Sequence, residues 1–141
     1  MTSITGEKLT ESQVTGALVD VVGEDGYEIE HFTACVEWGE PPRYSFYAEA
    51  GESMTTDRLR GFVAAMDRAL STRNIEYEAK RESQRLGPPV VRRVAPGTYQ
   101  MLRQRRVAEG APEAQVKIPQ LSPNMQFGEG LEVREEVTAD G

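Results

Sequence analysis

The sequence contains a single cysteine and a single histidine among its 141 residues, and it has no long apolar run. One cysteine excludes an intrachain disulfide, and Cys35 with His31 supplies too few ligands for a structural zinc site, so no metal site is expected. No stretch approaches the roughly 20 apolar residues of a membrane span, and the first residues lack the apolar core of a signal peptide. We therefore expect a soluble, cytoplasmic protein without a membrane partner.

Basic residues are also scarce. Lysine and arginine number 16 against 23 aspartate and glutamate residues, which gives a formal net charge of −7. Because a nucleic-acid-binding protein needs a basic face to contact phosphates, this balance argues against a nucleic-acid partner. The exception is the run RQRR at residues 103–106, which we interpret as a solvated helix face, with a phosphate or partner contact as the alternative.

The periodicity of apolar residues predicts an α+β fold. A capping box of Thr10 and Gln13 opens a first helix, which Gly23 and Gly26 are expected to end. Alternating apolar residues within residues 27–50 predict two antiparallel strands joined as a hairpin. A small sheet packed against helices accounts for this order of elements. Further helices are predicted over residues 56–70, 74–86 and 98–110, and a further strand over residues 90–94.

The two faces of the predicted hairpin differ in character. Phe32, Ala34, Val36 and Trp38 fall on the face against which the apolar stripe of the 56–70 helix should pack. His31 and Cys35 fall on the other face, where we expect an exposed histidine and a half-buried strand cysteine. Because His31 is the only histidine, the chain also lacks a serine, histidine and acid set for nucleophilic catalysis.

The segment QVKIPQLSPN, residues 115–124, combines one cation with two prolines. Lys117 lies between apolar residues, and Pro119 and Pro123 leave little room for a helix or a central strand. This pattern predicts an extended loop that presents Lys117. Residues 125–141, which follow it, are polar, acidic and rich in glycine, and they are predicted to form a flexible tail.

Three separated stretches resemble one known family. They are SITGEKLTESQV at residues 3–14, RALSTRNIEYEAKRESQRLGPPVVRRVAPGTY at residues 68–99, and QVKIPQL at residues 115–121. In this order and spacing they are similar to the C-terminal domain of the Gretchen Hagen acyl-acid amido synthetases, which are called auxin-responsive proteins in plants. This family belongs to the adenylate-forming superfamily, and the resemblance covers about residues 2–124.

The resemblance implies a function that depends on a second domain. Enzymes of this family use ATP and Mg²⁺ to activate a carboxylic acid as an acyl-adenylate, and they then transfer the acyl group to an amine. Their large N-terminal domain holds both pockets, while the small C-terminal domain acts as a mobile lid. By resemblance this chain is such a lid, inactive alone and needing the large domain in cis or in trans, with a hinge-like segment at residues 1–8 and a lid domain at residues 9–124.

The resemblance also implies roles for individual residues. Lys117 matches the lysine of the family's Gln-x-Lys-x-Pro-Arg-Leu loop, which enters the nucleotide site during adenylation. An ammonium there would offset the charge that develops on the phosphates in the transition state. The hinge would comprise Gly6, Glu7 and Lys8, with Gly6 absorbing the backbone rotation. Gln120 stands where the family has an arginine, so Gln120, Arg105 and Arg106 are candidate contacts to a phosphate or a partner.

Two alternatives remain open at the level of sequence. The domain can be a non-catalytic binding or regulatory module, which docks a partner through the exposed hairpin face or through RQRR, and in which Lys117 has no chemical duty. It can also be an unrelated α+β domain. A structure without a hairpin packed on two helices would favour that last interpretation.

Overall fold

A computed structural model describes residues 6–112, 114 and 116–140. The helices and strands of this part follow one another in the order that the sequence predicts, and two further strands lie near the end. The α+β prediction is therefore confirmed. The elements are α1 Glu11–Asp25, β1 Ile29–Glu37, β2 Arg43–Ala50, α2 Thr56–Arg73, α3 Ile75–Glu82, β3 Val90–Val94, α4 Thr98–Ala108, β4 Leu121–Ser122 and β5 Val133–Thr138.

The strands form one mixed sheet in the order β4-β1-β2-β3-β5. The central hairpin of β1 and β2 is antiparallel, as the sequence predicts, and Ala34 lies opposite Phe46 in it. β3 adds to the hairpin in parallel beside β2, and β4 adds in parallel beside β1. β5 closes the other edge by pairing antiparallel with β3.

The predicted capping box is present at the start of α1. The Thr10 hydroxyl accepts a bond from the Gln13 amide, and the Gln13 side chain accepts one from the Thr10 amide. Gly26, at φ 66°, ends the helix in a left-handed conformation that glycine adopts without strain. Gly23 lies inside α1 instead of ending it. Among the described residues, no helix is long and apolar enough to cross a bilayer.

The main core lies between one face of the sheet and the helices α1, α2 and α3. Phe32, Ala34 and Val36 of β1 lie in it, as predicted for this hairpin face. The prediction was wrong for Trp38, which follows the end of β1 and is 63% exposed. The α2 stripe packs here through Leu59, Phe62, Val63, Met66 and Leu70, all of which are buried. Burial of these side chains removes a large apolar area from water, and the hydrophobic effect of that burial is the main driving force for folding.

The second face of the sheet is covered as well. Cys35, Tyr47 and Tyr99 are buried there in a smaller cluster, which Leu102 of α4 and Ile118 of the late loop pack against. The expectation of a half-buried Cys35 was therefore wrong, since its side chain is 2% exposed. α4 and the chain after it shield this face, and a hairpin pattern alone does not reveal that cover.

The predicted flexible tail over residues 125–141 contains an ordered strand. Val133–Thr138 form β5, whose Val137 is buried in the main core. The prediction failed because most of this strand is polar and its order comes from pairing with β3. Its glutamates lie opposite arginines of that strand, with Glu136 beside Arg92, and opposite charges on paired strands are favourable.

Candidate functional site

Lys117 lies on the rim of a cleft of about 490 Å³ between α1, β1, α4 and the late loop. Its side chain is exposed, whereas the preceding Val116 is buried. The loop therefore anchors its apolar residue in the protein and presents its cation outward, as the sequence predicts. The cleft is lined by Glu11, Thr15, Glu30, His31, Phe32, Tyr99, Arg103, Val116, Lys117, Ile118, Pro119 and Gln120.

The loop that carries Lys117 is fastened to strand β1. The Thr33 hydroxyl donates a hydrogen bond of 2.7 Å to the Pro119 carbonyl oxygen. The Ala34 amide donates one of 2.8 Å to the Gln120 carbonyl oxygen, and the chain then enters β4, which pairs with β1. The prediction of an extended loop holds for residues 116–120, while Gln115 lies outside the described residues. Lys117 thus extends from a backbone that is bonded to the sheet.

Gln120 also joins the loop to helix α1. Its side-chain oxygen accepts a hydrogen bond of 2.6 Å from the Thr15 hydroxyl. Its main-chain amide donates a hydrogen bond of 2.7 Å to the carboxylate of Glu11, a residue in the first turn of α1. The predicted contact of Gln120 with a phosphate or partner stays a prediction, and in the structure its side-chain oxygen and its main-chain amide and carbonyl groups bond within the chain.

The two candidate arginines take different positions near the loop. Arg106 donates a hydrogen bond of 2.9 Å from Nη1 to the carbonyl oxygen of Lys117. Arg105 and Arg106 together line a second cleft of about 360 Å³, which also contains Ile118 and Phe127. Arg103 instead lines the first cleft with Lys117. The run RQRR is exposed, as predicted for a solvated helix face.

His31 and Arg103 are cleft residues that the sequence pattern did not connect with Lys117. The His31 ring stacks on Tyr99, with ring centroids 5.0 Å apart and an interplanar angle of 18°. Burial raises the pKa of Tyr99 above its ordinary value, and its hydroxyl donates to the Tyr47 carbonyl oxygen at 2.7 Å. A signal for Arg103 was available, because residues four apart on a helix share a face and Tyr99 is buried.

Cys35 is a buried thiol on the sheet face that carries Tyr47 and Tyr99. Burial raises its pKa to about 11, and the Glu37 carboxylate contributes in the same direction. A protonated thiol is a poor nucleophile and a poor metal ligand. Within the described ranges, no three His, Cys, Asp or Glu side chains are grouped so that they could hold a metal ion.

Among the predicted hinge residues, Glu7 is bonded to the rest of the domain. The Glu7 side chain is buried and accepts a hydrogen bond of 2.9 Å from the Tyr44 hydroxyl. Asn74 donates from Nδ2 to the Glu7 carbonyl oxygen at 2.8 Å. Gly6 has φ 100° and Lys8 has φ 47°. Residues 1–5 of the hinge-like segment lie outside the described part of the chain, and the hinge role stays a prediction.

Comparison with known proteins decides the family. Residues 12–126 match the model of the GH3 family C-terminal domain. The chain belongs to the GH3 family. The resemblance to the Gretchen Hagen synthetases, inferred from three sequence stretches, is thereby confirmed. No curated protein sequence matches the chain.

Solved structures of GH3 proteins share the fold of this domain. One is a GH3.15 acyl acid amido synthetase, which is 21% identical with a TM-score of 0.84 and is matched over 99% of this chain and 27% of its own. Another is an AtGH3.15 acyl acid amido synthetase in complex with 2,4-DB, 19% identical with a TM-score of 0.80 over 99% of this chain and 26% of its own. The GH3 domain described here therefore spans about a quarter of the length of these synthetases.

Proposed function

We propose that this GH3 domain is the lid of an ATP-dependent carboxylate–amine ligase and that it delivers Lys117 to the nucleotide phosphates. The proposal depends on one observation, which is that an exposed cation extends from a loop whose backbone is bonded to the sheet. Residues 119–122 are bonded to β1, while the Lys117 side chain is exposed at the rim of the cleft. A cation on a defined backbone can be placed reproducibly against a charge that develops in a reaction.

The chemistry of Lys117 suits a phosphate group. Among the described residues, its ammonium takes part in no ion pair, so its charge is available to a ligand. Its long stem lets the ammonium approach the α-phosphate and the leaving pyrophosphate, where it would offset negative charge. ATP with Mg²⁺, when bound to the complete enzyme, would supply the adenylyl group that is transferred to the carboxylate, with pyrophosphate as the leaving group.

A second domain is part of this proposal. This chain corresponds to about a quarter of each matched synthetase, which supports a pairing with a large N-terminal domain in cis or in trans. The carboxylic acid and the amine would bind through that domain, and the pair would act in the cytoplasm. Because Glu7 is bonded to Tyr44 and Asn74, a hinge in this segment would pivot at Gly6 or before it.

The experiment is acid-dependent exchange of pyrophosphate into ATP, with this chain combined with the large adenylating domain of a GH3 synthetase. Lys117→Ala should lower the rate about 100-fold, since loss of one stabilising group at a developing charge has that size. Lys80→Ala is the matched control, because Lys80 lies on α3 and away from the cleft, and it should leave the rate unchanged. An equal rate in Lys117→Ala and Lys80→Ala would refute the delivery of Lys117.

One observation favours a second function, a non-catalytic binding or regulatory module. Gln120 stands where the family has an arginine, and because glutamine is neutral the loop presents one cation fewer than the family pattern. The same variants separate the two functions. A module would retain its partner in Lys117→Ala, and combination with a large domain would produce no exchange activity.

A further inference from the structure

We propose that Gln120 is a positioning residue, which holds Lys117 in place by bonding the loop to the first turns of α1. This inference rests on the proposed role of Lys117. Its basis is a cluster of three hydrogen bonds at one residue. The side-chain oxygen of Gln120 accepts a hydrogen bond from the Thr15 hydroxyl at 2.6 Å. Its main-chain amide donates to the Glu11 carboxylate at 2.7 Å, and its main-chain carbonyl oxygen accepts from the Ala34 amide at 2.8 Å.

The short connection between Gln120 and Lys117 transmits this constraint. Pro119 lies between them, and its ring restricts φ to a narrow range. The Pro119 carbonyl is itself bonded to the Thr33 hydroxyl at 2.7 Å. On the far side of Lys117, Val116 is buried. The backbone around Lys117 is therefore restrained from both directions, and Gln120 supplies the bonds that lead to α1.

The attachment to α1 has a consequence for domain motion. Glu11 is the first residue of α1, and Lys8 of the predicted hinge precedes it by three residues. A rotation at the hinge would move α1, and the bonds from Glu11 and Thr15 would move the Lys117 loop with it. Bonds of this kind keep a catalytic group aligned after a rigid-body movement, which matters because displacement by about 1 Å can cost about 100-fold in rate.

The glutamine side chain is suited to this position. It provides an amide oxygen that accepts from the Thr15 hydroxyl, which an arginine, having only donors, cannot do. The bond from Thr15 at 2.6 Å engages this oxygen, and the role assigned to Gln120 acts through Lys117.

The first test measures hydrogen exchange in this chain alone. Gln120→Met and Thr15→Val each remove one member of the side-chain bond, and each should speed exchange of the Gln120 main-chain amide, which donates to Glu11 at 2.7 Å, about fivefold, as expected for loss of one hydrogen bond. Thr15→Ser keeps the hydroxyl and should restore slow exchange. Thr72→Val is the matched control, because the Thr72 hydroxyl bonds within α2 to the Arg68 carbonyl. Unchanged exchange in both loop variants would overturn the inference.

The second test uses pyrophosphate exchange with the large domain. Gln120→Met should lower kcat about tenfold while KM for ATP stays within about twofold, because alignment acts on the transition state. In a Lys117→Ala background, Gln120→Met should cause no further loss, since its effect passes through Lys117.

The outcomes separate the two proposals. If Lys117→Ala leaves the rate unchanged, the delivery of Lys117 fails and the positioning role fails with it. If Lys117→Ala lowers the rate but Gln120→Met causes the same loss in both backgrounds, or none in either, only the positioning role is overturned.

Discussion

Arg92 Nη1 on β3 lies 2.5 Å from Glu37 Oε1 on β1, and this ion pair spans the intervening strand β2. Each partner of this ion pair forms a second ion pair. Arg43 of β2 contacts the other Glu37 oxygen at 2.6 Å, and Arg92 Nη2 contacts Glu136 of β5 at 3.0 Å. Four strands are thereby connected by side-chain charges. The network lies on the sheet face that also carries Cys35, and it attaches the last strand to the hairpin.

This network predicts a loss of stability in acid. Although burial raises the pKa of Glu37, hydrogen bonds from Arg92 and Arg43 hold it below the ordinary value of 4.5. A carboxyl with a lowered folded pKa stabilises the native state fully above its unfolded pKa, and this contribution is lost as the pH falls through the folded value. Urea unfolding should therefore show the free energy of unfolding decreasing below about pH 4.5. Glu37→Gln should flatten that decrease, and an identical acid profile in the variant would contradict the assignment.

The packing of β5 predicts that substitution of two valines of this strand lowers the free energy of unfolding by different amounts. Val137 is 2% exposed in the main core, while Val133 is 37% exposed at the start of the strand. Val137→Ala should lower the free energy of unfolding by about 2 kcal/mol, from lost transfer energy and a residual cavity. Val133→Ala, the matched control, should change it by no more than about 0.5 kcal/mol. Equal small effects in chemical denaturation would mean that β5 does not pack as described.

Local patterns in the sequence predicted most of the fold, and long-range pairing accounts for what they missed. The hairpin and α2 have apolar residues at the period of their own element, so each was recognisable alone. β4 comprises two residues, Leu121 and Ser122, and β5 is largely polar. Such strands exist because a neighbour completes their hydrogen bonds, and that neighbour is remote in sequence.

The candidate site was predictable to the same extent. The two prolines that follow Lys117, Pro119 and Pro123, predicted an extended loop, because proline restricts the backbone locally. The surroundings of Lys117 were not predictable, since Glu11 and Gln120 are bonded across a separation of 109 residues. From the sequence alone, Gln120 at the position of a family arginine indicates an altered phosphate contact. Only the folded chain shows that Gln120 is bonded to α1.

Cys35 should resist alkylation in the native protein. Burial raises the pKa of its thiol to about 11, so little thiolate exists at neutral pH. Labelling with a thiol-specific reagent at pH 8 should be slow in the folded chain, and it should become fast in urea, where the pKa returns to about 8.5. The unfolded chain serves as the control for reagent activity. Rapid labelling without denaturant would show that this face of the sheet is open to solvent.

Asn74 should determine how firmly the predicted hinge segment is held. Its Oδ1 accepts from the Tyr77 amide at 2.8 Å and caps α3, while its Nδ2 donates to the carbonyl oxygen of Glu7 at 2.8 Å. Asn74→Asp keeps the cap but removes the donor, which also bonds Gln13 Oε1 at 3.1 Å, and it leaves a carboxylate oxygen facing both acceptors. Loss of a buried partner of this kind costs about 1–3 kcal/mol, and trypsin should cleave faster after the exposed Lys8.

A second asparagine provides the control for this prediction. Asn124 uses its side-chain oxygen to accept from the Gln126 amide at 3.0 Å, and aspartate can make the same bond. Asn124→Asp should therefore change the free energy of unfolding by no more than about 0.5 kcal/mol. If Asn74→Asp were equally neutral, and tryptic cleavage after Lys8 were unaltered, the donor to Glu7 would contribute nothing to holding the segment. The pivot of the domain would then not be confined to Gly6 and the residues before it.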